Sequence, residues 1–220
     1  MSTLAILPIK SFADAKQRLQ SVLAPELRRA LVEAMFSDVL IALRRASSID
    51  QILVVSADRA AQQIAGTYHA SVLEDEQRGH NVAASLGIGW ALESGYERAL
   101  LVPGDCPVLD PGQLDELCAH AAAARSVLIV PDRHRTGTNA LLLTPPDAIS
   151  PSFGPGSCER HAALAHDAET SYEIVDVPSL ALDVDIPDDL AALQAEVDAT
   201  RGGSAHTRGM LRQLTRRARR

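Results

Sequence analysis

The chain has 220 residues, 46% of them hydrophobic, with 21 Lys and Arg against 28 Asp and Glu and a formal net charge of −7. That length suits one domain with a sizeable core, and no apolar run approaches the ~18 residues of a membrane span. Three widely spaced cysteines (Cys106, Cys118, Cys158) with no CxxC pair argue against a disulfide framework or a zinc site, and Met1–Ile9 does not read as a signal leader, so a reduced, cytoplasmic protein is expected.

Leu4–Ile9 predicts a first strand, opening into a polar loop over 10–19. Pro25-Glu26 starts a helix to about Arg45, with Leu27, Leu31, Ala34, Met35, Val39 and Leu43 along one stripe. Ile52–Ser56 predicts a second buried strand, followed by Asp58 and a short helix ending at Gly66. Val72-Leu73 predicts a third, and the polar stretch Glu74–Asn81 leads into a helix through Leu92. Ala99–Val102 is a short apolar run of the kind buried on both faces in the middle of a parallel sheet. A helix from about Gln113 to Ala124 and a strand at Val127–Val130 complete four β-α repeats. This is the pattern of an α/β fold, a mostly parallel, doubly wound central sheet with helices on both faces.

The rhythm then changes. Ala140–Leu143 predicts a strand, and Phe153-Gly154-Pro155-Gly156-Ser157 a loop opening a helix through Ala165. Tyr172–Val175 and Ala181–Val184 predict late strands, and Pro187 starts a last helix ending before Gly202-Gly203. No internal repeat or linker divides residues 1–200, which read as a single domain. Residues 201–220 hold seven arginines (Arg201, Arg208, Arg212, Arg216, Arg217, Arg219, Arg220) and no acid. Residues 1–200 carry 14 Lys and Arg against 28 Asp and Glu, about −14. With few apolar residues to dock, the basic tail is expected to be a flexible, frayed or weakly helical appendix open at most to a weak contact with nucleic acid or an acidic surface.

Asp105 is the first polar side chain after the central strand, and in open α/β sheets ligands sit beyond the carboxyl ends of the strands. Asp183 and Asp185, two apart on an expected strand, share a face; Asp185 also suits a cap for the helix at Pro187, which leaves Asp183 the better ligand. Two carboxylates from separate strand ends suit Mg²⁺, which takes one or two protein carboxylates plus substrate phosphates. Lys10, Lys16 and Arg18 follow the first strand, where cations neutralise phosphate oxygens. Neither a P-loop nor a GxGxxG turn is present, so a nucleotide would be held another way. Thr136-Gly137-Thr138 and Gly154-Pro155-Gly156-Ser157 offer backbone N–H groups to an anion. Asn81 reads as an N-cap or a base or ribose contact, His134 and His161 as loop and helix-surface residues, and Cys106 as a packing thiol.

Taken together, these residues resemble the 2-phospho-L-lactate guanylyltransferase family. The resemblance rests on Ile6–Lys10 with Ala13–Leu19, Gly104–Pro107, Pro131–His134 with Thr136–Leu141, Phe153–Ser157 and Leu182–Asp185, in the family's order over roughly residues 4–195. It implies a nucleotidyltransferase fold of the glycosyltransferase-A kind and a step in coenzyme F-420 biosynthesis. GTP would be joined to 2-phospho-L-lactate, phosphoenolpyruvate or 3-phospho-D-glycerate, with release of pyrophosphate. By the same resemblance Asp105 and Asp183 would hold Mg²⁺, with Asp58 a candidate third ligand. Thr138, Gly154 and Ser157 would grip the acid's carboxylate, and Lys10, Lys16 and Arg18 would face the triphosphate. The expected partners are these small molecules, with no membrane; a homo-oligomer stays open. The competing readings are a nucleotidyltransferase of the same fold acting on a sugar phosphate or a molybdopterin, and a nucleotide-binding regulator without turnover.

Overall fold

The computed structural model describes residues 1–76, 78–121, 125–199 and 202–218. Among them, one sheet is built from β1 (Thr3–Pro8), β2 (Gln51–Val55), β3 (Ser71–Leu73), β4 (Arg98–Leu101), β5 (Ser126–Pro131), β6 (Thr138–Thr144) and β7 (Ser171–Ile174). Their spatial order is β3-β2-β1-β4-β6-β5-β7. β6 runs antiparallel to β4 and β5, and the remaining pairings are parallel. The apolar run at 99–102 thus supplies the middle strand, β4, which is buried at every residue.

The helices are α1 (Pro25–Arg45), α2 (Arg59–Thr67), α3 (His80–Glu93), α4 (Pro111–His120), α5 (Ser157–Asp167), α6 (Pro187–Ala199) and α7 (Ala205–Ala218). The period-two alternation of the strands sorts the core into two layers. Ala5, Leu7, Val54, Leu100, Leu128 and Leu142 face α1, α2, α4, α6 and α7. Leu4, Ile6, Leu53, Val55, Leu101, Ile129 and Leu141 face α3 and α5. α3 lies close on β1 because Gly87 carries no Cβ, which would collide with Ile6. No helix among the described residues is long and apolar enough to cross a membrane.

Two expectations are corrected. Ala181–Val184 is not a strand. A 3₁₀ turn at Pro178–Leu180 leads the chain off the sheet, and Ala181 bonds to turn and loop backbone instead of a ladder, its N–H donating to Pro178 O and its carbonyl accepting from Arg133 N. The basic tail is not a loose appendix either. α7 lies along α1, with Met210 and Leu211 buried and Leu214 packed against them. Its first turn is held from α1, where the buried carboxylate of Asp38 accepts the N–H groups of His206 at 3.2 Å and Thr207 at 2.8 Å. Three apolar residues and a cap supplied from elsewhere in the fold seat a helix whose own composition predicts little. Arg201, Arg219, Arg220 and the expected helix end at Ala124 lie outside the described residues.

Candidate active site

The polar loop after β1 is pinned at both ends by its apolar residues. Phe12 is buried edge-on against Phe36, with ring centroids 5.6 Å apart, and Leu19 is fully buried. The N–H of Phe12 donates to Asp58 at 2.8 Å. Between these anchors Lys16 adopts a left-handed conformation (φ 54°) and sends its ammonium inward. It pairs with Asp105 and, at 2.7 Å, with Asp185, leaving its side chain only 8% exposed. Burial works against its charge, but the two carboxylates outweigh it and hold the ammonium well above the ordinary lysine range.

Asp105 reaches that point because Gly104 is bare; a Cβ there would strike Ile9 and crowd Phe36. Asp183 comes from the irregular segment before α6 and is placed by Asn139 on β6, whose Nδ2 donates to Leu180 O at 2.7 Å and to Asp183 Oδ1 at 3.2 Å. Burial raises the Asp183 carboxyl, and the charge of Asp105 raises it further. Asp183 therefore lies close enough to Asp105 at the β4 edge to feel its charge. Asp185 does not cap α6. Asp189 does, its Oδ2 accepting the N–H groups of Asp185 and Ile186, both at 2.8 Å, while Arg133 holds its other oxygen.

Lys16 thus pairs with Asp105 and Asp185, and Asp183 lies near both carboxylates, so three carboxyl groups stand against a single cation. An all-oxygen donor set with that charge deficit fits Mg²⁺. Among the described residues no three His, Cys, Asp or Glu side chains ring a single point. The fit is to an ion held by one or two carboxylates and completed by substrate. Asp58, the candidate third ligand, is otherwise engaged: Oδ1 caps α2 through Ala60 N and Ala61 N, and Oδ2 takes Phe12 N.

Beside this cluster lies a pocket of about 190 Å³ lined by Lys10, Ser11, Asp58, Asp75, Gly79 and His80, among others. Burial, then the charge of Lys10, lowers the pKa of His80. The three cations after β1 are therefore divided. Lys16 turns into the carboxylates, Lys10 lines the pocket, and Arg18 is exposed on the 3₁₀ turn Gln17–Leu19.

The two small-residue loops are joined to each other. Asp132 shapes the first, accepting the N–H groups of His134, Thr136 and Gly137; a side chain at Gly137 would strike its carboxylate. In the second, Gly154 (φ 118°) and Gly156 (φ 72°) need glycine's conformational freedom, and Arg160 laces the loop by bonds to Ser152 and Pro155. Cys158 N donates to Thr136 O at 3.2 Å across the two. Thr138, at the start of β6, lies 2.9 Å from Nδ1 of His161, whose Nε2 accepts Ser152 N at 2.9 Å.

His161 is therefore a fully buried link between the loops and not a helix-surface residue; its spacing of four from Ser157 puts it on that face of α5. Asn81 is likewise no N-cap, a place taken by Gly79. It clasps the Phe153 backbone from both sides, which commits its amide. His134 is exposed in its loop. Cys106 packs as a thiol, pushed well above its ordinary pKa by burial and then by Asp105, and donates to Leu180 O.

The acidic cluster stands at the strand ends of a sheet with one antiparallel strand, and that fold is the one seen in nucleotide-diphospho-sugar transferases and nucleotidyltransferases. The fold superimposes on a Desulfovibrio desulfuricans G20 protein described provisionally as a nucleotide-diphospho-sugar transferase, with TM-score 0.77, 17% identity, and 99% of this chain and 98% of that one covered. It also matches a nucleotidyl transferase from Methanothermobacter thermautotrophicus, with TM-score 0.65, 14% identity, and 91% and 99% covered. Within that class, the family model described as "Guanylyl transferase CofC like" matches residues 3–217, and the chain belongs to this family of guanylyltransferase enzymes. The match includes α7, which the sequence resemblance left outside. A phosphoenolpyruvate guanylyltransferase from Conexibacter woesei is 53% identical over 98% of both chains. A 3-phospho-D-glycerate guanylyltransferase from Colwellia psychrerythraea is 35% identical over 88% of this chain and 91% of the relative. A 2-phospho-L-lactate guanylyltransferase from Methanothermobacter thermautotrophicus is 34% identical over 97% and 92%.

Proposed function

We propose that the chain joins GTP to a small phosphorylated three-carbon acid, phosphoenolpyruvate first among them, with release of pyrophosphate and in the service of coenzyme F-420 assembly. The observation that carries this reading is the gathering of Lys16, Asp183 and Asp185 about Asp105 at the carboxyl edge of β4, near the pocket lined by Lys10 and His80. The names of relatives at 53%, 39% and 40% identity support phosphoenolpyruvate over the other two acids.

In this reading a phosphate oxygen of the acid attacks the α-phosphorus of GTP, and the bond from that phosphorus to the bridging oxygen of the β-phosphate breaks. The substrate supplies the nucleophile, so the protein's work is positioning and charge neutralisation. Asp105 and Asp183 would hold Mg²⁺, which supplies charge neutralisation for the reacting phosphates. Lys16 shares the carboxylates and stands ready to turn to phosphate oxygens, while Lys10 borders the nucleotide pocket. Thr138, Gly154 and Ser157 would take the acid's carboxylate. Pyrophosphate release from GTP, measured with each of the three acids and with a sugar phosphate, tests the reading. Turnover with phosphoenolpyruvate supports it, and turnover only with the sugar phosphate overturns it.

A further inference from the structure

His161 has two bonds and one tautomer that satisfies both. Ser152 N carries a hydrogen and donates it to Nε2, so Nε2 is bare and the neutral ring must carry its proton on Nδ1. Nδ1–H then donates to the hydroxyl oxygen of Thr138 at 2.9 Å. A threonine hydroxyl has one proton and two lone pairs. With a lone pair occupied by the ring, its own proton is directed away from the ring and remains for another acceptor.

We infer that His161 is a positioning residue for the acid substrate: it fixes Thr138 as a hydrogen-bond donor aimed at the substrate's carboxylate and ties that donor to the Ser152–Ser157 loop. The inference rests on the reading that Thr138 touches the acid. Each feature of the surroundings serves it. His161 is fully buried, so its ring has no water to trade partners with. Phe153 packs edge-on against it at 5.1 Å and is itself clasped by Asn81, which stops rotation of the ring. Arg160, the preceding residue in the chain, spends its guanidinium on Ser152 and Pro155, so the residue whose backbone N–H sets the tautomer is itself held. A hydroxyl that accepts one hydrogen bond is also polarised to donate a stronger one. A carboxylate, which only accepts, is the group such a donor selects.

Two near-isosteric substitutions separate the two bonds. His161→Asn places an amide N–H at the Nδ1 position and keeps the donor to Thr138; His161→Gln places its amide at the Nε2 position, keeping Ser152 and losing Thr138. Expected is a rise in KM for the acid of about fivefold to tenfold in His161→Gln, with KM for GTP unchanged, and recovery of most of that loss in His161→Asn. Thr138→Val supplies the reference: it raises the acid's KM by at least as much, and adding His161→Gln to it costs nothing further. No change of the acid's KM in Thr138→Val overturns the reading of Thr138. A change there, with His161→Gln kinetically like wild type or with both His161 variants equally impaired, overturns the role of His161. Should the variants fail to fold, two-bond ¹H–¹⁵N spectra of the wild-type ring decide: the Nδ1–H tautomer at neutral pH is expected, and an Nε2–H tautomer sinks the inference.

Discussion

Asn81, in the first turn of α3, and Phe153, in the loop before α5, hold each other by two hydrogen bonds, Phe153 N to Asn81 Oδ1 at 2.7 Å and Asn81 Nδ2 to Phe153 O at 3.2 Å. The pair joins the helix whose first residue, His80, lines the pocket to the loop that would hold the acid. Asn81→Ala strands both backbone groups of Phe153 and should lower stability by about 2 kcal/mol. It should also raise KM for the acid severalfold while KM for GTP moves less. Urea denaturation and steady-state kinetics check this; a change confined to KM for GTP would return Asn81 to a base contact.

Asp183 is a carboxylate kept in an unfavourable place, raised by burial and by its neighbour Asp105. Such tension is expected where function, and not stability, sets the residue. Asp183→Asn should abolish turnover by about a hundredfold or more while leaving stability equal to wild type or higher by about 1 kcal/mol. Calorimetry alongside pyrophosphate release tests the pairing of those two outcomes, and Mn²⁺ binding followed by electron paramagnetic resonance should weaken in the same variant.

The seat of α7 on α1 makes a separate prediction. Asp38→Ala removes the acceptor for His206 N and Thr207 N in a buried position and should destabilise the protein by about 1–3 kcal/mol. Hydrogen exchange should show α7 opening ahead of the sheet. Uniform protection across α7 in the variant would mean that Met210 and Leu211 suffice to hold it.

Burial, and then the charge of Arg160, pushes His161 down to about 4. Above the ordinary histidine pKa of about 6.5 the ring is neutral in both folded and unfolded chains, and its contribution is fully present. As pH falls from about 6.5 towards about 4, the unfolded chain takes up a proton the folded one refuses. Stability then declines, by on the order of 2–3 kcal/mol across the window. Denaturation midpoints of the wild type and His161→Asn between pH 7.5 and 5 should diverge in that direction, with the variant's slope the flatter.

Much of the fold was legible because continuous apolar runs, helical stripes and Pro or Gly boundaries mark it locally: the central strand through the run at 99–102, α1 from Pro25, and the break at Pro103-Gly104. What escaped depends on contacts distant in sequence. Ala181–Val184 has strand composition, yet the Ala181 N–H turns back to Pro178 O and its carbonyl accepts from Arg133 N, while Asn139 and Asp189 hold the residues on either side, Leu180, Asp185 and Ile186. α7 has a polar composition, and the carboxylate that starts it sits on α1. At the site, the pairing of Lys16 with Asp105 and Asp185 joins groups far apart in sequence, and Asp58 and Asn81 are bound to backbone. His161 carried a usable signal, the spacing of four from Ser157, and its burial was the part that only packing could reveal.

The role proposed for the acidic edge at β4 is guanylyl transfer between two phosphorylated reactants. It is tested most directly by ³¹P NMR of wild-type protein incubated with GTP, phosphoenolpyruvate and Mg²⁺. Two coupled resonances of a new mixed diphosphate, appearing in step with pyrophosphate, are the predicted result. GTP consumed only to GDP and phosphate, or left intact beside each of the three acids, would contradict it.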